Sequence, residues 1–254
     1  MSSIHVWAVP MTSSGSRPFR HTATLITNTV TSALCDVATK EATAQADTLR
    51  QAEGERKKKS GNKARLADLQ KKAASIDQRL EFVMTEIKDF FDSVYVHRYR
   101  DIDARIRTEC IEGMGSWIKT LPSEFLDGNY LRYMGWLLSD EVVSVRHEVL
   151  KQLGGILEKA TNIQGMHTFI ERFRRRIVEM ATSDADPLVR TSAVTVVDLI
   201  RGRGLLEPDD IDVIGKLIYD SEPRVRKALV GFFSENLKDS FDAKVEELGG
   251  KETV

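Results

Sequence analysis

Four segments of this chain share one pattern: an Asp, then an Arg six positions later with Val or Ile immediately before it. They are DIDARIR (Asp101 to Arg107), DEVVSVR (Asp140 to Arg146), DADPLVR (Asp184 to Arg190) and DSEPRVR (Asp220 to Arg226), at offsets of 39, 44 and 36 residues. One such match carries no information, but a run of them in register at about 40 residues is the period of HEAT-type helical hairpins. This period constrains the fold more than any other feature, because each hairpin leaves an apolar face that only the next hairpin covers. The Asp of each turn is expected to cap the second helix of its pair, and Pro187 and Pro223 stand where a helix begins and a missing N–H costs nothing. The Val or Ile falls on the buried face, and the Arg can reach back to its own turn or to the equivalent Asp of a neighbouring repeat. The expected pairs are about 80–95 with 102–119, 123–138 with 142–160, 166–182 with 187–201, and 207–219 with 223–237. The fold class is all-α, an α-solenoid of HEAT-type helical hairpins.

The N-terminal part differs. Residues 1–18 contain Pro10, Gly15, Pro18 and several Ser, and read as a disordered lead-in. From Phe19 to Glu53 there is no Gly or Pro, which fits a long helix despite its many Thr. Gly54 and the Ser60-Gly61-Asn62 cluster are expected to interrupt it. Beyond them Leu66, Leu69, Ala73, Ile76, Leu80, Val83, Ile87 and Phe90 recur in steps of three and four, one apolar stripe on a second long helix. Residues 19–94 are therefore expected to form a long helical hairpin with a basic tip, followed by repeats over 95–180 and 181–240 and a frayed tail over 241–254.

Formal net charge is only −1, so attraction to a polyanion must come from local clusters. Two stand out. ERKKKSGNKAR carries Lys57, Lys58, Lys59 and Lys63 at the hairpin tip, and FIERFRRRIVEM carries Arg172, Arg174, Arg175 and Arg176 beside Phe169 and Phe173. Either is a solvated face or a strip that grips a DNA backbone without reading sequence; an acidic partner also fits the arginine run, and a nuclear-import signal also fits the tip. YLRYMGWLL places Tyr130, Tyr133 and Trp136 three residues apart. Such a stripe is usually core, yet Trp and Tyr also favour binding hot spots. VHRYR (Val96 to Arg100) precedes the first repeat Asp and offers Arg and Tyr for a phosphate or a peptide.

Chemistry of other kinds finds little support. Cys35 and Cys110 match no metal or redox spacing and are expected to be reduced thiols of an intracellular protein. The five His have no metal spacing, and RGRG (Arg201 to Gly204) follows no strand as a phosphate loop would. No apolar run is long enough for a membrane span. The expectation is a non-enzymatic protein without cofactor or metal.

VYVHRYRD, GSWIKTLPSEFLDGNYLRYMGWLLSD and ERFRRRIVEM closely resemble the stromalin conservative domain of SA/STAG-type cohesin subunits, over about residues 95–180. FRHTATL and AEGERKKKSGNKARLADLQKK resemble the family's preceding helix and hairpin, so the resemblance runs over roughly residues 17–240; MSSIHVWAVPMTSSGS carries none of it. The resemblance implies a nuclear, chromatin-associated HEAT-repeat subunit acting in sister chromatid cohesion. Implied partners are the kleisin and ring subunits, regulators carrying aromatic motifs, and double-stranded DNA. Family members are several times longer, so the kleisin surface is expected to be incomplete here. Carried over by position, the regulator pocket is Trp136 and Arg172, walled by Tyr99, Tyr133 and Phe169. Arg174, Arg175, Arg176, Lys57, Lys58, Lys59 and Lys63 are the expected DNA contacts. The competing reading is a generic HEAT-repeat adaptor or transport scaffold without DNA binding, which has no need for both basic clusters.

Overall fold

The computed structural model describes residues 2–58 and 62–247, and no strand occurs among them. Packing divides the chain into two compact units, Met1–Phe125 and Leu126–Val254, a break that falls inside the 95–180 stretch.

The first unit is built on two long helices, α2 (Arg17–Lys57) and α3 (Lys63–Phe90). They run antiparallel, as the Arg79–Glu41 ion pair at 2.9 Å and the Gln45–Asp77 hydrogen bond at 2.8 Å require. Thr is tolerated inside α2 because its hydroxyls bond within the helix. Thr24, Thr31, Thr39 and Thr48 each donate to the carbonyl four residues earlier. Gly54 does not interrupt α2, contrary to the sequence expectation, and the helix continues to Lys57. A lone glycine costs about 1 kcal/mol relative to Ala, which a helix packed along its whole length absorbs. The turn instead depends on Glu55. Its buried carboxylate accepts from Lys58 Nζ at 2.8 Å and from the Asn62 N–H at 3.1 Å, while Asn62 caps α3 through Ala64 and Arg65.

The lead-in reading is corrected as well. Residues Ser2–Met11 form helix α1, and α2 already begins at Arg17 with Pro18 in its first turn. Tertiary contact overrides the Pro and Ser content: Ala8 and Thr12 are buried, and the His5 ring stacks on Phe90 with centroids 4.1 Å apart. After a π-helical turn (Phe91–Tyr95) and the short α4 (Val96–Arg98) comes α5 (Ala104–Thr120), then α6 (Pro122–Phe125). The helix that packs most extensively on α5 is α2, not residues 80–95 as the pairing scheme expects. Asn28 Nδ2 donates to the Glu109 carbonyl, and the fully buried Trp117 donates its indole N–H to Ser32 Oγ at 3.0 Å.

The second unit contains α7 (Gly128–Leu137), α8 (Val143–Leu157), α9 (Ile163–Ser183), α10 (Pro187–Arg201), α11 (Pro208–Gly215) and α12 (Pro223–Glu247). The expected tail is corrected in part, because α12 stays helical to Glu247 and buries Val245; residues 248–254 lie outside the described residues.

All four repeat turns share one geometry. The Asp does not cap the helix as expected. Its carboxylate accepts from the N–H two residues on, an Asx turn: Asp101 from Asp103, Asp140 from Val142, Asp184 from Asp186, Asp220 from Glu222. The cap proper falls on that second residue, as where Asp103 and Asp186 accept from the first turns of α5 and α10. The Arg then donates Nη1 back to the carbonyl of its own Asp, at 2.7 Å for Arg107, 2.8 Å for Arg146, 2.9 Å for Arg190 and 2.6 Å for Arg226. It also reaches forward. Arg146 makes a bidentate pair with Asp184 and Arg190 with Asp220, while in the first unit Arg20 plays this role for Asp101. Burial alone would raise the pKa of Asp184 and Asp220, but the guanidinium and the turn N–H outweigh it and hold both carboxyls below their ordinary value. At Asp101, Asp184 and Asp220 the turn is thus tied to an arginine of another element, a joint of the fold and not a surface pattern.

Candidate peptide and nucleic-acid interface

The aromatic site stands on the crossing of α7 and α9. Asp127 caps α7 through the Asn129 N–H. Eight residues on, Gly135 meets the Phe173 ring of α9 so closely that a Cβ there would lie 2.2 Å from Cζ. Only the absent side chain permits this approach. Phe173 meets Phe169 at a tilt, centroids 4.8 Å apart and planes inclined by 37°, and carries the Arg172 guanidinium at 5.3 Å.

Next to Gly135, Trp136 is 46% exposed and meets Tyr133 edge-on at 5.3 Å. The cation over both rings is Arg132, at 5.1 Å from Tyr133 and 5.7 Å from Trp136. Sequence reasoning gave no role to Arg132 and Gly135 and took Phe173 only as an apolar neighbour of the basic run, although the spacing of Arg132 and Trp136 by four places them on one helix face. Tyr133 and Phe169 are buried, so they back this cluster instead of walling it. Tyr99 belongs to the first unit, where its ring stacks on Tyr95 at 6.2 Å. What the arrangement offers is a half-exposed indole with a guanidinium already seated on it, a surface whose chemistry suits an aromatic ring or a carboxylate.

The basic strip is divided. Arg174 is withdrawn into ion pairs with Glu207 at 3.0 Å and Asp210 at 2.7 Å, which corrects its expected role as a free cation. Arg176 is split between Glu179 and the Leu138 carbonyl. Arg172 and Arg175 are exposed. At the hairpin tip, Lys57 pairs with Glu53 on the surface, where such pairs hold loosely, while Lys58 pairs with the buried carboxylate of Glu55. Lys63 is exposed, and Lys59 lies outside the described residues. Both free cysteines are buried, and burial pushes the Cys35 thiol up to about 12 and the Cys110 thiol higher still, so neither is poised as a nucleophile. Among the described residues no cluster of His, Cys, Asp and Glu could hold a metal ion, and no helix is long and apolar enough to cross a membrane.

Helical pairs joined through acid–arginine turns, presenting aromatic and cationic side chains, define a helical-repeat scaffold. A set of designed armadillo repeat proteins shares this fold at a TM-score of 0.50 with 15% identity over 88% of the chain. Residues 1–72 match the STAG domain and residues 100–174 match the stromalin conservative domain. Cohesin subunit psc3 of Schizosaccharomyces pombe is 37% identical over 98% of the chain, and Cohesin subunit SA-1 of Xenopus laevis is 34% identical over 91%. Among solved structures, cohesin subunit Scc3 from Z. rouxii superimposes with a TM-score of 0.88 at 29% identity, covering 96% of this chain and 28% of that one. The chain belongs to the stromalin family of cohesin subunits, which are structural subunits and not enzymes. It spans about a fifth to a quarter of the length of the curated relatives it matches (26% of psc3 and 18% of SA-1). The STAG match begins at residue 1, so the lead-in that carried no resemblance in sequence is part of the family's domain.

Proposed function

We propose that this chain works as part of a cohesin subunit in sister chromatid cohesion, on chromatin in the nucleus, in association with the kleisin and ring subunits. The observation that carries this reading is that two family domains occur in order along a chain similar to psc3 over nearly its whole length. Within that role, the cluster of Trp136, Arg132 and Tyr133 with nearby Arg172 receives aromatic motifs of regulators. A partner's Phe or Tyr ring lies against the exposed indole, and a neighbouring carboxylate meets a guanidinium. Replacing Trp136 with Ala is expected to weaken binding of a Phe-containing regulator peptide by at least tenfold while leaving the circular dichroism unchanged. An unaltered affinity overturns the peptide site, and loss of the fold makes Trp136 a core residue instead.

Lys57, Lys58, Lys63 and Arg175 serve as backbone contacts to duplex DNA. Binding is expected at low ionic strength and to weaken steeply as salt rises, in a fluorescence-anisotropy titration of a labelled duplex. Replacing Lys57 and Lys63 with Glu is expected to flatten that salt dependence. Absence of binding at low salt removes the DNA half of the proposal and leaves the peptide half standing.

A further inference from the structure

A cavity of about 360 Å³ opens in the first unit beneath the turn that joins α1 to α2. Its lining carries three arginines, Arg20, Arg98 and Arg100, together with His97, Ser13 and Ser14, and Arg20 Nη1 donates to the Ser14 carbonyl at 2.9 Å. One carboxylate, Asp101, faces them. Arg20 grips it with two hydrogen bonds, and Arg98 Nη1 adds a third at 2.7 Å. Burial would raise the Asp101 pKa, but these donors outweigh it, so the group stays ionised. Three guanidinium groups against one carboxylate leave the lining net positive, although Arg20 and Arg98 are both engaged with Asp101. Donor capacity also remains. Arg100 is exposed, and the Arg98 Nε–H is buried with no acceptor among the described residues.

We propose that this cavity binds a phosphate monoester, in the form of a phosphoserine or phosphothreonine side chain of a partner polypeptide. A monoester carries about 1.5 to 2 negative charges and three strong acceptor oxygens, which suits convergent guanidinium groups. The concave shape takes one compact anion, whereas a nucleic-acid backbone needs a row of cations along an open surface. Directly after Asp101, at the rim, Ile102 is 90% exposed. An apolar side chain there suits the flanking residue of a peptide and gives nothing to a duplex. The inference is independent of the aromatic site and of the DNA contacts, all of which lie elsewhere in the chain.

The test titrates N-acetyl-phosphothreonine methylamide into the isotope-labelled 254-residue chain, followed by amide and arginine Nε–H NMR shifts. Saturable shifts confined to residues 13–20 and 97–102 are expected, absent with the unphosphorylated compound. Arg100→Glu, which alters an exposed side chain, is expected to weaken binding at least tenfold with an otherwise unchanged spectrum. The proposal is overturned by an absence of shifts, by equal shifts with the unphosphorylated compound, or by an Arg100→Glu variant that binds as well as the original. A short DNA duplex that shifts these residues where the monoester does not also overturns it, in favour of nucleic acid.

Discussion

Truncating Arg146 to Ala is expected to destabilise the second unit by about 3–5 kcal/mol in urea unfolding followed by circular dichroism. The guanidinium closes its own turn through the carbonyls of Asp140 and Glu141 and holds Asp184 of the next turn with two bonds of 2.7 and 2.8 Å. Side-chain exposure is 11% for Arg146 and 4% for Asp184, so solvent cannot replace what is lost. The variant leaves a buried carboxylate with the Asp186 N–H as its hydrogen-bond donor and Arg176 as its nearby cation, and that undercompensated charge is the source of the cost. Surface ion pairs behave differently. The exposed Arg50–Asp47 pair, with both partners largely in water, is the natural control, and its removal is expected to be nearly silent. Equal small effects at the two sites would mean that the turns are ornament.

Gly135→Ala is expected to destabilise by about 1–3 kcal/mol although helix propensity alone would make it stabilising by about 1 kcal/mol. The new Cβ would fall 2.2 to 2.6 Å from three ring atoms of Phe173. A phenyl ring has no flexible end to swing aside, and this one is packed against the Phe169 ring. Either α7 and α9 separate or the ring turns out of its rotamer. Both disturb the neighbouring indole of Trp136, so its fluorescence is expected to shift with the stability. Adding Phe173→Leu should recover part of the loss by vacating the contact. A stabilised Gly135→Ala would show that the crossing has room and that the aromatic surface does not depend on it.

The repeat was legible because its determinants are local. The Asx turn spans two residues and the Arg returns over six, so the same words recur in sequence wherever the joint recurs. The long hairpin was legible for a similar reason, since an apolar stripe at helical spacing needs no knowledge of its partner. What escaped depends on distant contacts. Helix α1 has poor composition and stands because Ala8, Thr12 and His5 pack against α2 and α3. The pairing of α5 with α2 is set by Trp117 and Ser32, 85 residues apart. Arg174 looked free among its basic neighbours, but its carboxylates, Glu207 and Asp210, come from α11 and the residue before it. The aromatic cluster was half legible. Trp136 and Tyr133 were found by type, while the cation seated on them proved to be Arg132, because a helix places residues four apart one above the other.

A double-mutant cycle on Arg146 and Asp184 addresses the joint most directly. Arg146→Ala, Asp184→Asn and the double variant would be unfolded in urea under identical conditions, and the coupling taken from the four stabilities. A joint that couples neighbouring repeats predicts an interaction of about 1–3 kcal/mol, with the double variant less damaged than the sum of the singles. Strict additivity, with the two substitutions acting as though the side chains never met, would contradict it.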